Sequence, residues 1–131
     1  MKQIIMAALI LFLLISCSLS RKNPLDPDSH NVSAPGKVTG IQVSVTGSNT
    51  VYLQWEARSD ADGYYIYRSQ SYDGAFPLIK EVEVSDITTF EDVNVEIATV
   101  GNENFYWYKL SAYLLVDGEK LEGYRSEAHS W

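Results

Sequence analysis

After Gly36 the sequence changes period, and apolar residues begin to recur at every second position. Ile41, Val43 and Val45 alternate with Gln42 and Ser44. Val51, Leu53 and Trp55 alternate with Tyr52, Gln54 and Glu56, and Tyr106, Tyr108, Leu110 and Ala112 with Trp107, Lys109 and Ser111. A period of two sends successive side chains to opposite faces of an extended chain, so each run has one face for a core and one for water. Turn formers separate the runs: Gly47-Ser48-Asn49, the stretch 60–63, Asp73-Gly74, Gly101-Asn102 and Asp117-Gly118. Short strands with turns at roughly 8–12-residue spacing predict an antiparallel sandwich or barrel. Asp117-Gly118, between LSAYLLV and EKLEGY, predicts a tight hairpin, because both positions tolerate positive φ. No stretch sustains a helical period, and there is no internal repeat.

The first 35 residues follow other rules. One lysine, Lys2, precedes an unbroken apolar run over residues 4–15. A membrane-spanning helix needs roughly 20 apolar residues, so this run is too short to span and fits the apolar region of a secretory signal. It closes on Leu14-Ile15-Ser16-Cys17, which resembles the lipobox of bacterial lipoproteins. That resemblance implies cleavage before Cys17 and a lipid on its sulfur. Cys17 is the only cysteine, so it has no intramolecular disulfide partner. Two or more acyl chains, at about 0.8 kcal/mol per buried methylene, hold a protein on a bilayer for practical purposes permanently. Ser18, not Asp, follows the cysteine. In enterobacterial lipoproteins this resembles an outer-membrane destination, so the expected location is the envelope of a Gram-negative bacterium, lipid-anchored. Residues 18–35 hold three of the four prolines among Asn, Asp and Ser with no apolar period, and read as a flexible tether. The expected organisation is therefore a signal peptide over 1–16, lipidated Cys17 and tether over 17–34, and one domain over 35–131.

Removing residues 1–16 takes away Lys2 as the only charged residue, leaving 9 basic against 17 acidic residues and a formal net charge of −8. Such a surface repels the phosphate backbone, so no nucleic acid is expected as a partner. Chemistry is equally scarce. Nucleophilic catalysis needs a base within reach of Ser, Thr or Cys, yet the two histidines are His30 in the tether and His129 near the last strand. No Cys/His pair at zinc spacing and no glycine-rich phosphate loop occurs. The expectation is no catalytic residue, no cofactor and no metal. Asp60 and Asp62 admit two readings: oxygen ligands of a calcium loop, or a plain turn whose Asp side chains cap backbone. Two acids without a further Asp/Asn ladder or a distal Glu favour the turn.

Trp55, then Gly63-Tyr64-x-Ile66, Thr89-Phe90-x-Asp92, Tyr106-x-Tyr108-x-Leu110-x-Ala112 and Ser126 occur in an order and spacing that resemble a fibronectin type III domain. The match runs from about Pro35 onward. It implies an all-β, seven-stranded antiparallel sandwich of immunoglobulin-like type, with Trp55, Tyr64 and Tyr106 in the core. It also implies that the Tyr106 hydroxyl bonds back to backbone at the corner before its strand. The chain departs from the pattern there, with VEIATVGNEN in place of a short Pro-Gly-Thr turn. Val116-Asp117-Gly118-Glu119-Lys120 stands where some members carry integrin-binding Arg-Gly-Asp, so that activity does not transfer.

If Tyr64 and Ile66 face the core, Tyr65 and Tyr67 face outward, and the same parity turns Trp107 and Tyr113 outward on the neighbouring strand. Tyr65, Tyr67, Trp107 and Tyr113 are thus a candidate binding face, an aromatic strip for a protein or glycan partner, with Tyr124 as a further candidate. The alternative is cross-strand pairing that stabilises the sheet beneath long Lys and Arg stems. The function expected is a non-catalytic interaction module on a lipid anchor. A structural spacer or envelope-assembly subunit, or an accessory subunit to a separate enzyme, is the alternative.

Overall fold

A computed structural model describes residues 32–97 and 105–131. The signal segment, Cys17, His30 and the Gly101-Asn102 turn lie outside the described residues. Seven strands occur in the described chain: β1 Gln42–Thr46, β2 Thr50–Gln54, β3 Gly63–Ser69, β4 Leu78–Val82, β5 Thr89–Val93, β6 Trp107–Val116 and β7 Glu119–Glu122. They form two antiparallel sheets, one ordered β1-β2-β5 and the other β4-β3-β6-β7. This is the all-β sandwich that the alternation predicts.

The core lies where the inward parities of the two sheets meet. Val51 and Leu53 of β2, Tyr64 and Ile66 of β3, and Tyr108, Leu110 and Ala112 of β6 are all fully buried. Full burial of an aliphatic or aromatic side chain stabilises by about 1.5–3 kcal/mol each, and this one cluster supplies the domain's cohesion. Trp55 stands one residue beyond β2, but its N–H donates to the Thr88 carbonyl at 3.0 Å and extends the pairing with the β5 side. Its ring meets Tyr64 edge-to-face at 5.4 Å. Tyr64 in turn accepts the Arg58 N–H at 2.9 Å and donates to the Ser85 carbonyl at 3.2 Å, so a fully buried phenol keeps its hydroxyl satisfied.

At one end the core is closed by charge. Arg68 follows the inward parity of β3, and its Nη1 lies 2.8 Å from Oδ2 of buried Asp92 on β5. Tyr108 donates its hydroxyl to the same oxygen at 2.9 Å, and the Arg68 guanidinium stands 5.1 Å over the Tyr106 ring. One carboxylate thereby ties β3, β5 and β6 together across the two sheets.

Two chain features set the poles of the sandwich. Asp117 and Gly118 take φ of 51° and 88°, the hairpin geometry predicted for that pair. Near them, Asp62 donates its N–H to Tyr113 O and accepts the Leu115 N–H, while Arg58 holds Lys37 O and Asp60 receives the Gly36 N–H. Residues 36–37 therefore lie at the pole where β3 begins. The far end of β3, where Ser69 pairs with Trp107, is roughly 20 Å away at about 3.3 Å per residue.

After β7 the chain keeps contact with β6 through bulges. Gly123 donates to Ala112 O, Ser126 to Leu110 O, and His129 exchanges two backbone bonds with Tyr108. The Ser126 side chain accepts the Leu110 N–H at 3.0 Å, which fills the gap the bulge leaves in the ladder.

Candidate functional site

On the outer face of the four-stranded sheet, register places Tyr65 opposite Ser111, Tyr67 opposite Lys109, and Gly63 opposite Tyr113. Tyr65 lies 4.9 Å from Tyr113 and 6.3 Å from Tyr67, centroid to centroid, so three of the four expected rings form one layer. Gly63 makes room for it: a Cβ there would stand 2.4 Å from the Tyr113 hydroxyl and 2.3 Å from the Val82 carbonyl.

That layer is not open to water in the way the strip was expected to be. Tyr67 is 4% exposed and Tyr113 1%. The Arg125 guanidinium lies 3.7 Å over the Tyr67 ring, and Lys120 sits 5.2 Å over Tyr113 while pairing with Glu81 on the opposite edge strand. Tyr67 and Ser111 both donate to Glu122 Oε1 at 2.6 Å. Basic stems from β7 and the segment after it therefore roof the rings, because long Lys and Arg side chains lie along apolar surface with their charge at the rim. Strand parity gave the face correctly; it carries no information about what the next strand lays across it.

Electrostatics fit a covered layer. Burial first, then the bond to Glu81, pushes the Tyr113 hydroxyl well above the ordinary phenol range. Burial and Glu122 raise Tyr67, and burial raises Tyr65. The hydrogen bond from Lys120 holds Glu81 below the usual carboxylate range. These phenols stay protonated near neutrality and serve as hydrogen-bond donors within the layer.

A group of partly open rings lies at the far pole. Trp107 is half-buried, and Tyr72, 53% exposed, meets it edge-to-face at 5.0 Å. Lys109 lies 4.5 Å over Phe76, and Phe105, 42% exposed, is 6.1 Å from Trp131. A separate cleft of about 280 Å³, which none of these rings lines, opens among residues that include Arg68, Gln70, Pro77, Ile79 and Tyr106. The Tyr106 hydroxyl accepts from Gln70 Nε2 at 3.3 Å, and part of the corner before β6, where a backbone partner was expected, lies outside the described residues. Tyr124 is 77% exposed and makes no ring contact among the described residues. Tyr72 and Phe76 escape a parity argument because they flank the Asp73-Gly74 turn, where no strand period applies.

The two acids of the first turn are both engaged. Asp60 forms a two-pronged pair with Arg58, at 2.8 Å for each contact, and this holds its carboxyl below the usual range. Asp62 Oδ2 accepts the Leu115 N–H at 2.7 Å, pinning the turn to β6. No group of three His, Cys, Asp or Glu among the described residues is placed to hold a metal.

Known structures of similar shape share one architecture. The solved structure described as "FN3tt mut" is 22% identical, aligns over 76% of this chain and 96% of its own, and gives a TM-score of 0.57. A Fn3-like protein from Clostridium thermocellum is 27% identical over 71% of this chain and 90% of its own, at 0.52. The fn3 domain of human contactin 1 is 18% identical over 76% and 79%, at 0.56. No protein-family model matches the chain, and no curated protein does. With two antiparallel sheets, seven strands and these neighbours, the domain has the fibronectin type III fold.

Proposed function

We propose that this protein is a lipid-anchored, non-catalytic interaction module of the cell envelope, held through Cys17 and presenting its binding surface at the pole formed by Tyr72 and Trp107. One observation carries the reading. The largest group of exposed rings lies at the end of the sandwich opposite residues 36–37, where the tether joins the domain. A tether of residues 18–35, reaching at most roughly 3.3–3.6 Å per residue, would hold that pole farthest from an anchored Cys17. Tyr and Trp are the residues that dominate binding energy at small contact surfaces, since they offer rigid area with a polar tip.

A second reading, a structural spacer or assembly subunit, is favoured by the roofed face: Arg125 and Lys120 close over Tyr67 and Tyr113. Crosslinking on intact cells separates the two. The interaction module loses its crosslinked partner in a Tyr72→Ala, Trp107→Ala double variant that still folds. A spacer keeps every contact so long as Cys17 is retained. The anchor has its own test: the wild type partitions into detergent, whereas Cys17→Ala stays aqueous or unprocessed, and equal partitioning of both overturns the anchor.

A further inference from the structure

We propose that β1 is an interface for a second copy of this chain, joined edge to edge and antiparallel about Ser44 so that the two three-stranded sheets become one. This goes beyond the interaction-module reading and does not depend on it. The edges of the two sheets are β1, β5, β4 and β7. Unpaired edges invite another strand, and natural sheets guard them with charge, proline or bulges. Glu91 stands on β5, Lys80 and Glu81 on β4 with a register shift in its pairing to β3, and Glu119, Lys120 and Glu122 on β7. β1 reads QVSVT: it holds no charge and no proline, and its pairing with β2 runs without a shift. Among the described strands it is the unguarded edge.

Its backbone is free on the open side. The Trp55 N–H donates to Thr88, the residue before β5. In an antiparallel ladder successive residues bond alternately to the two neighbouring strands, so Leu53 and Val51 bond toward β5, and Gln54, Tyr52 and Thr50 toward β1. Gln42, Ser44 and Thr46, the register partners of those last three, therefore use their backbone groups on β2, and Val43 and Val45 turn theirs outward. Among the described residues no backbone bond reaches β1 from outside that ladder.

A second copy is the natural complement of that edge. With Ser44 opposite Ser44 on a two-fold axis, Val43 of one copy and Val45 of the other exchange both N–H···O bonds, and Gln42 lies opposite Thr46. Half-buried valines meet on the inner face and exposed polar side chains on the outer, and no row sets like charges against each other. The mature chain's formal charge of −8 opposes self-association in general. The exposed acid of these strands, Glu91, shares a row with Tyr52 and Ser44. The two copies of it would stand roughly 24 Å apart at about 4.8 Å per strand, beyond the screening length of about 8–10 Å. Five paired residues bury less than the roughly 1,200 Å² of stable interfaces, so the dimer is weak and forms with concentration.

Cysteine crosslinking of the full-length protein in intact cells under a mild oxidant tests this, with the wild type reporting any bridge through Cys17. Opposed residues of a non-hydrogen-bonded antiparallel pair lie about 4.5 Å apart at Cα, within disulfide reach. Ser44→Cys should therefore give a disulfide-linked homodimer. Gln42→Cys alone should give at least about tenfold less, since its own counterpart would stand roughly 13 Å away, past the limit of about 7 Å. Gln42→Cys and Thr46→Cys, each monomeric alone, should bridge when co-expressed. All three positions are exposed, so the melting temperature should not change. Ser44→Cys that stays monomeric, or equal bridging by all three single variants, overturns the proposal. So does a Ser44→Cys bridge to a different polypeptide, which would give the edge to a foreign strand. These variants leave Tyr72 and Trp107 in place, so the interaction module stands or falls by its own crosslinks.

Discussion

Arg125 holds its guanidinium 3.7 Å above the ring of Tyr67, and the Tyr67 hydroxyl donates at 2.6 Å to Glu122, three residues before that arginine. A single turn of the last strand region thus covers the ring and satisfies its polar tip. Removing the roof should expose Tyr67 without unfolding the sheet. Arg125→Ala is expected to cost about 1 kcal/mol, the scale of a partly desolvated cation–π contact. Glu122→Ala should cost more, about 2 kcal/mol, because it also leaves the buried Ser111 hydroxyl without its acceptor. Urea unfolding of the two variants measures both.

Ser126 replaces a missing rung of the ladder. Its Oγ accepts the Leu110 N–H and its own hydroxyl donates to Glu127 O. Ser126→Ala should therefore strand a buried amide and destabilise by about 1–3 kcal/mol. Hydrogen exchange gives a local check: the Leu110 amide should lose protection in the variant by more than amides at the start of β3.

Gly63→Ala should be among the most damaging small substitutions. The added carbon would meet the Val82 carbonyl at 2.3 Å and the Tyr113 hydroxyl at 2.4 Å. Overpacking of this kind typically costs about 1–3 kcal/mol, and backbone is one of the two neighbours, so the upper end is expected. Tyr113→Phe in the same chain should not restore stability, since the Val82 contact remains. A thermal melt of both variants decides it.

Alkaline pH should unfold the domain early. Tyr108, Tyr113, Tyr67 and Tyr65 all have hydroxyls raised above their ordinary value of 10.0, with burial the largest cause in each. Above pH 10 the unfolded chain releases these protons while the folded chain keeps them. The stability they contribute is therefore complete below pH 10 and declines as pH rises beyond it, by up to about 1.4 kcal/mol per pH unit for each phenol. On the acid side the sign reverses. Asp60, held low by Arg58, and Glu81, held low by Lys120, contribute stability above their unfolded values of 3.8 and 4.5 that is lost as pH falls. Melting temperatures from pH 9 to 11.5 should fall, and fall less steeply in Tyr113→Phe.

The sandwich was legible in the sequence because burial on one face repeats at every second residue and nothing else makes that pattern. Val51, Leu53, Tyr64, Ile66, Tyr108, Leu110 and Ala112 show it directly. Trp55 and Tyr106 also reach the core from one residue outside their strands. What parity could not give was the height of the layer above the outer face. Whether Tyr67 is open depends on where Arg125 lies, and that follows from a bulged strand end whose register has no period. Among the open rings, Tyr72 and Phe105 sit where the chain turns or enters a strand and Tyr124 lies just past the end of β7, and sequence alone gives such positions no direction.

The central claim, that the open pole and not the roofed face meets a partner, is tested most directly by a photo-crosslinking residue placed on the full-length protein in intact cells. One probe goes in place of Tyr72 and another in place of Tyr124, which is more exposed but makes no ring contact among the described residues. The account predicts a discrete adduct from position 72 and none from position 124. Equal adducts from both positions, or an adduct from 124 alone, would contradict it.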